Sequence, residues 1–283
     1  MKKKINFEKV LITGAGGMVG SYVDFGIRMD HKTLDVTDFH EVMRVVKEHR
    51  PSAIIHLAAE TDVDLCEKDP DRAYLINGVG AYNIATATKE TGAKLVYVST
   101  AGIFDGEKTE PYNEDDLPNP QNFYGRSKHM GELIVRGMLA DCIIARVCWM
   151  FGGGPGKDAK FVGKIIRQFD KPEIKALTDA YGSPTSGKDL IAAIKRLLEE
   201  GAAGTFHLSN EGSCSRHELA KFITDTLKPG IKLTPVSHDY FPGAYRPKNE
   251  SLSSKQKLMR PWKDALREYL ETEWKTVIVK AKP

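Results

Sequence analysis

Hydrophobic residues along the chain fall into two alternating patterns. Short, nearly unbroken apolar runs occur at Val10-Leu11-Ile12-Thr13, Ala53-Ile54-Ile55-His56-Leu57, Leu95-Val96-Tyr97-Val98 and Cys142-Ile143-Ile144-Ala145-Arg146-Val147. Runs of this kind predict parallel strands covered on both faces. Between them lie segments with helical spacing. Residues 39–49 carry Phe39, Val42, Met43 and Val46 on one stripe; 73–91 is rich in alanine and stops before Gly92; 128–138 is the third. The alternation predicts an α/β fold, a Rossmann-type doubly wound parallel sheet.

Past residue 150 the pattern changes. Gly152-Gly153-Gly154-Pro155-Gly156 reads as a loop. Helical patterns follow at 160–169, 189–200 and 216–227, with short strands between them such as Thr205-Phe206-His207-Leu208. A last helix opens at Pro261, with Trp262, Leu266, Tyr269 and Leu270 on one face. We expect residues 1–150 to form a dinucleotide-binding domain, to which part of 172–203 returns. Residues 151–283 are expected to form, for the most part, a smaller carboxyl-terminal substrate lobe over the carboxyl edge of the sheet.

Composition narrows the classes. In 283 residues, 41% are hydrophobic and 28% charged, which suits a globular chain with a sizeable core. A net charge of +3, from 41 basic and 38 acidic residues, does not suggest a nucleic-acid binder. The four cysteines (Cys66, Cys142, Cys148, Cys214) form no Cys-x-x-Cys pair, so neither a disulfide scaffold nor a zinc site is expected. No apolar stretch approaches membrane-spanning length, and the basic start is followed only by Val10-Leu11-Ile12. The expectation is a cytoplasmic protein that binds no membrane and no metal.

Candidate chemistry begins at the first strand. Thr13-Gly14-Ala15-Gly16-Gly17-Met18-Val19-Gly20 places a glycine triplet directly after it. Gly14 would allow a sharp turn, Gly17 a close approach of backbone to a pyrophosphate, and Gly20 tight packing of a following helix, whose N–H groups would face the phosphate. The stretch 21–34 is short for a helix and a second strand, so that strand is expected to be short or missing. Asp30 is a candidate for the acidic residue that reads the adenosine ribose, and NAD versus NADP stays open.

A second constellation is Tyr124-Gly125-Arg126-Ser127-Lys128. The i,i+4 spacing puts the phenol and the ammonium on one helix face. A nearby ammonium is expected to lower the tyrosine pKa from about 10, suiting it to exchange a proton with a carbonyl oxygen. Thr100, at the end of Val96-Tyr97-Val98-Ser99-Thr100, would bond the same oxygen.

With these residues the chain resembles the extended short-chain dehydrogenase/reductases and, within them, the dTDP-4-dehydrorhamnose reductase family. The resemblance also draws on 34–38, 50–64, Ile76-Asn77, Phe104-Asp105-Gly106, Pro111-Tyr112, Pro118-Asn119-Pro120 and Gly131-Glu132. Later it includes Arg146-Val147-Cys148-Trp149, Gly182-Ser183-Pro184-Thr185, Asp189-Leu190 and Arg246-Pro247. It implies reduction by NADPH or NADH of the C4 ketone of a nucleotide-linked, dTDP-type 6-deoxy-4-hexulose. Thr100, Tyr124 and Lys128 would be the catalytic set. Gly17, Met18 and Val19 would meet the cofactor diphosphate, Asp35 and Val36 the adenine, and Ala58 and Ala59 would line the cofactor, with Tyr124 and Lys128 at its nicotinamide end. Val63 and Trp149 would face the substrate, and Arg246 could bind a phosphate or form a surface salt bridge. A possible homodimer is the only protein partner expected.

The resemblance has departures. The family usually reads Ser-Thr-Asp-Tyr-Val-Phe-Asp-Gly, where this chain has Ser99-Thr100-Ala101-Gly102-Ile103-Phe104-Asp105-Gly106. A carboxylate and a phenol are thus missing beside the expected substrate, so its sugar can differ. His56 reads as a core histidine, the acidic stretch with Glu110, Glu114, Asp115 and Asp116 as a solvated loop, and Lys2-Lys3-Lys4 as a solvated tail. Two alternatives stay open: a nucleotide-sugar epimerase or dehydratase, and a non-catalytic regulatory subunit that kept the fold.

Overall fold

The computed structural model describes residues 4–275. Lys2 and Lys3 of the basic start, and 276–283 of the expected lobe, lie outside them. Six parallel strands form the main sheet: β1 (Val10–Thr13), β2 (Ile27–Met29), β3 (Ala53–His56), β4 (Lys94–Thr100), β5 (Cys142–Val147) and β6 (Gly204–His207). Their spatial order is β6-β5-β4-β3-β1-β2. Strand order reverses between β1 and β3, so a crevice opens outside the carboxyl ends of these strands.

Alternation along each buried strand sends side chains to both faces. Val10, Ile12, Ile55, Val96 and Ile143 meet Leu190, Ile194 and Leu197 of the helix Gly187–Glu199. Leu11, Ile54, Leu95 and Ile144 meet the other face, covered by α1 (Phe39–His49), α2 (Gly80–Thr91) and α3 (Phe123–Met138). The middle of each of these strands is therefore apolar on both faces, as a doubly covered parallel sheet requires, and polar residues such as Thr13, His56 and Thr100 stand at the carboxyl ends. Asp38 caps α1 by accepting from the Glu41 N–H, and Asn122 caps α3 by accepting from Gly125.

The glycine turn departs from expectation. No α-helix follows it. A 3₁₀ turn, Val19–Tyr22, occupies the place, and β2 follows as a strand of three residues paired with Leu11–Thr13. Too little chain separates the turn from β2 for a helix to cross back. Distant contacts brace the turn instead: Tyr22 donates to Glu273 (2.6 Å) and accepts from the Gly153 N–H (2.7 Å).

The chain that returns to the sheet runs beyond 203. The helix Gly187–Glu199 is followed by β6, so Thr205, Phe206 and His207 belong to the main sheet rather than to a strand of the smaller lobe. That lobe has its own core, in which Phe151, Ile165, Ile174, Leu219, Ile223, Leu266 and Trp274 meet. It includes the helices Arg216–Leu227 and Trp262–Tyr269 and a strand pair formed by Glu173–Leu177 and Lys232–Val236.

One polar contact joins the layers. Arg146 on β5 makes a forked ion pair with Glu132 on α3, Nη2 to Oε2 at 2.8 Å and Nε to Oε1 at 3.0 Å, and neither side chain reaches solvent. The guanidinium also lies 5.4 Å from the Phe104 ring, which stacks on Tyr112. Tyr112 in turn donates to Asp105, which accepts from Asn119. The Phe104-Asp105-Gly106, Pro111-Tyr112 and Asn119 motifs thus brace the chain beyond β4. Removing one partner of a buried pair strands the other charge, which costs about 3–5 kcal/mol. Glu132→Ala is expected to lose that much stability in urea unfolding. A loss under about 1 kcal/mol would contradict this role for the pair.

Candidate active site

The crevice is a cleft of about 1010 Å³ between the sheet's carboxyl edge and the lobe. It is bordered on the dinucleotide side by Gly14, Gly17, Met18, Val19, Gly20, Asp35, Val36, Ala58 and Ala59, and further along by Val63, Thr100, Tyr124, Lys128, Trp149 and Arg246. Every candidate site residue read from the sequence reaches this one cleft. What each does there is a separate question, and geometry narrows it.

Gly14 has φ +67°, and a Cβ there would fall 2.6 Å from the Ala58 backbone nitrogen. Only glycine lets the end of β1 press against the end of β3. Thr13 Oγ1 meets His56 Nδ1 at 2.7 Å just beneath, and burial drives the His56 pKa down to about 3. His56 is therefore a neutral core residue. Asp30 borders the cleft, and its Oδ1 takes the Lys32 and Thr33 N–H groups. Asp35 similarly holds Thr37, while Val36 is buried.

At the other end, β4 delivers Thr100 and α3 delivers Tyr124. The Thr100 hydroxyl accepts from the Gly102 N–H at 3.0 Å and stands close enough to the Tyr124 phenol to lower its pKa. The amide leaves the hydroxyl hydrogen free to donate. Lys128, one turn further and 2% exposed, holds its Nζ 4.2 Å from the centroid of the Tyr97 ring. The Tyr97 hydroxyl donates to the Lys128 and Asn77 carbonyls, in the turn Leu75–Val79 where the helix widens to π geometry.

The expected depression of the tyrosine pKa is corrected here. Burial pushes Tyr124 up to about 12, although the Thr100 hydrogen bond pulls it down. Burial also pulls Lys128 down to about 7, against the pull of Glu132. Desolvation outweighs pairing for both groups.

Of the missing carboxylate and phenol, the carboxylate position falls at a different place from the one anticipated. Ala101 is buried with Ile103, Phe104, Tyr112, Cys148 and Leu252. A Cβ on Gly102 would sit 3.4 Å from Thr100 Oγ1 and 3.5 Å from the Tyr124 ring. A side chain at 102 would therefore lie directly beside Thr100 and Tyr124.

Trp149 is held hard. Its φ is +33°, a conformation that costs a bulky residue roughly 1–3 kcal/mol. The indole lies so close on Gly182 that a Cβ there would be 2.3 Å from it, and Nε1 donates to Glu250 at 2.9 Å. Arg246 makes a forked pair with Asp64 (2.7 and 3.2 Å), so the salt-bridge alternative describes its contacts. Further cleft residues that the sequence did not point to include Lys160, Arg216 and Glu250. Arg216 left one local signal. It stands in the first turn of the helix Arg216–Leu227, where a cation opposes the helix dipole.

A dinucleotide fits this cleft. Ser99 Oγ, 2% exposed on the cleft wall, is a buried hydroxyl with no partner among the described residues. The glycine turn offers backbone rather than side chains at the other end.

Residues 8–274 match the family described as the RmlD substrate binding domain. The chain is 36% identical to the spore coat polysaccharide biosynthesis protein SpsK of Bacillus subtilis (strain 168) over 279 residues, 93% of this chain and 97% of that protein. Among solved structures it is similar to a dTDP-4-dehydrorhamnose reductase from Clostridium acetobutylicum ATCC 824, with TM-score 0.89 and 35% identity, covering 93% of this chain and 98% of that one. It is equally similar to the dTDP-4-dehydrorhamnose reductase of Bacillus anthracis str. Ames in complex with NADP, with TM-score 0.89 and 37% identity, covering 94% and 99%. On a match that spans nearly the whole chain, it belongs to the RmlD substrate binding domain family, a family of extended short-chain dehydrogenase/reductases that act as NAD(P)-dependent oxidoreductases.

Proposed function

We propose that the protein reduces the C4 ketone of a nucleotide-linked 6-deoxy-4-hexulose, of the dTDP type, using NADPH or NADH in the cytoplasm. The observation that carries this reading is that Thr100, Tyr124 and Lys128, the last buried one helical turn beyond the tyrosine, line one cleft. The relatives named as dTDP-4-dehydrorhamnose reductases, one of them complexed with NADP, support the choice of reaction and coenzyme.

Gly14, Gly17, Met18, Val19 and Gly20 would hold the coenzyme diphosphate, Asp35 and Val36 its adenine end, and Ala58 and Ala59 its middle. Bound NADPH or NADH supplies the hydride that reaches C4. Val63 and Trp149 would border the sugar. The carbonyl oxygen would lie between the Thr100 and Tyr124 hydroxyls, so that both donate to it as negative charge develops. Tyr124 Oη then passes its proton to that oxygen, leaving the alcohol and a phenolate. A phenol with a pKa near 12 keeps its proton at neutral pH, which suits a donor. The Lys128 ammonium stabilises the phenolate and returns a proton to it from solvent.

Two outcomes test the reading. Wild-type protein should oxidise NADPH in a one-to-one ratio with a dTDP-4-keto-6-deoxysugar, followed at the nicotinamide absorbance. Tyr124→Phe should lower the rate by about 10²–10⁴-fold, the usual range for a positioned acid. Turnover without net NADPH oxidation would indicate an epimerase instead, and near-normal turnover by Tyr124→Phe would remove the tyrosine from the mechanism.

The charge of Lys128 has a separate readout. Its folded pKa lies below its unfolded value, so between about pH 7 and 10 the unfolded chain binds more protons there. Stability contributed through this residue therefore rises with pH across that window. The stability of wild type minus that of Lys128→Met should grow from pH 7 to pH 10 in denaturant titrations. A difference independent of pH would mean that Lys128 titrates at its ordinary value.

A further inference from the structure

Arg216 opens the helix Arg216–Leu227 on the lobe side of the cleft. Its guanidinium carbon lies 3.5 Å from the centroid of the Trp149 ring and 4.6 Å from that of Phe161. Stacking of this kind fixes the plane of the group and leaves its edge N–H donors available. Those donors find no hydrogen-bond acceptor and no carboxylate among the described residues. Arg246 shows the contrast: in the same cleft, Asp64 takes both of its terminal nitrogens. Glu250 is the leading opposite charge felt by Arg216, but it forms no ion pair with it and its Oε2 is committed to Trp149 Nε1.

Another cation on the cleft wall is in a similar state. Among the described residues, Lys160 has only the two oxygens of Thr61 as partners, at 3.3 and 3.0 Å. Burial weakens both cations, pulling Arg216 down to about 10 and Lys160 below its ordinary value. A half-buried cation with no anion beside it is held at a cost, and a ligand that supplies the anion recovers that cost.

We propose that Arg216, held flat on Trp149, is the specificity-determining residue that receives an oxyanion of the substrate, either a phosphate of its nucleotide link or a carboxylate on its sugar. This rests on the nucleotide-sugar reading above. The two sources share one chemistry, a pair of oxygens that accepts the forked guanidinium.

Calorimetric binding to wild type and Arg216→Gln tests the proposal with two pairs of probes: dTDP against thymidine, and UDP-glucuronate against UDP-glucose. A phosphate contact predicts that Arg216→Gln weakens dTDP and both UDP-sugars by roughly 10- to 100-fold and leaves thymidine unchanged. A carboxylate contact predicts the same loss for UDP-glucuronate alone. Arg216→Lys, which keeps the charge without the stacked fork, should recover part of the loss, and coenzyme affinity should stay level in both variants. In turnover, Arg216→Gln should raise KM far more than it lowers kcat. The proposal is overturned if folded Arg216→Gln binds every probe within twofold of wild type. It is equally overturned, with no variant needed, if wild type binds thymidine as tightly as dTDP and UDP-glucose as tightly as UDP-glucuronate. If instead wild type fails to oxidise NADPH with any 4-keto sugar while these binding differences persist, the reductase reading fails and the anion site stands.

Discussion

The forked pair between Glu132 and Arg146 is the contact on which the geometry of the cleft turns. Glu132 lies on the same helix as Tyr124 and Lys128, and Arg146 on the strand that leads to Cys148 and Trp149. A shift of α3 along β5 would separate two desolvated charges, so the helix has one register relative to the sheet. The Phe104 ring against the guanidinium extends the constraint to the segment just after Thr100. Residues from β4, α3 and the β5 exit are thereby held in one arrangement before any ligand arrives, which is what proton transfer over a hydrogen-bond distance demands.

Burial has opposite uses on the two sides of the cleft. Near Thr100 it holds the phenol neutral and loosens the lysine's hold on its proton, so the ammonium can hand a proton to a phenolate. Near Trp149 it leaves cations short of partners. The first side is complete within the chain apart from the reacting molecules, whereas the second is electrostatically incomplete until an anion enters.

Much of this could be read from residue order. Unbroken apolar runs identified the strands because a sheet covered on both faces has no polar side, and the Tyr124–Lys128 spacing carried its own geometry. The helix expected after the glycine turn failed because the turn's chemistry is local, whereas the room for a helix depends on where β2 rejoins the sheet. The tyrosine pKa was misjudged because spacing reveals a neighbouring charge but not desolvation, which here is the larger effect. Arg216 went unnoticed because its partners, Trp149 and Phe161, come from elements far away in sequence. Its position at the start of a helix was a visible oddity, yet an exposed arginine would have looked the same.

The brace between Tyr22 and Glu273 joins residues 251 positions apart. During synthesis, β1 and the glycine turn emerge well before the carboxylate that closes the turn's hydrogen bond. Until Glu273 has been made and has docked, the glycine turn of a nascent chain lacks this brace.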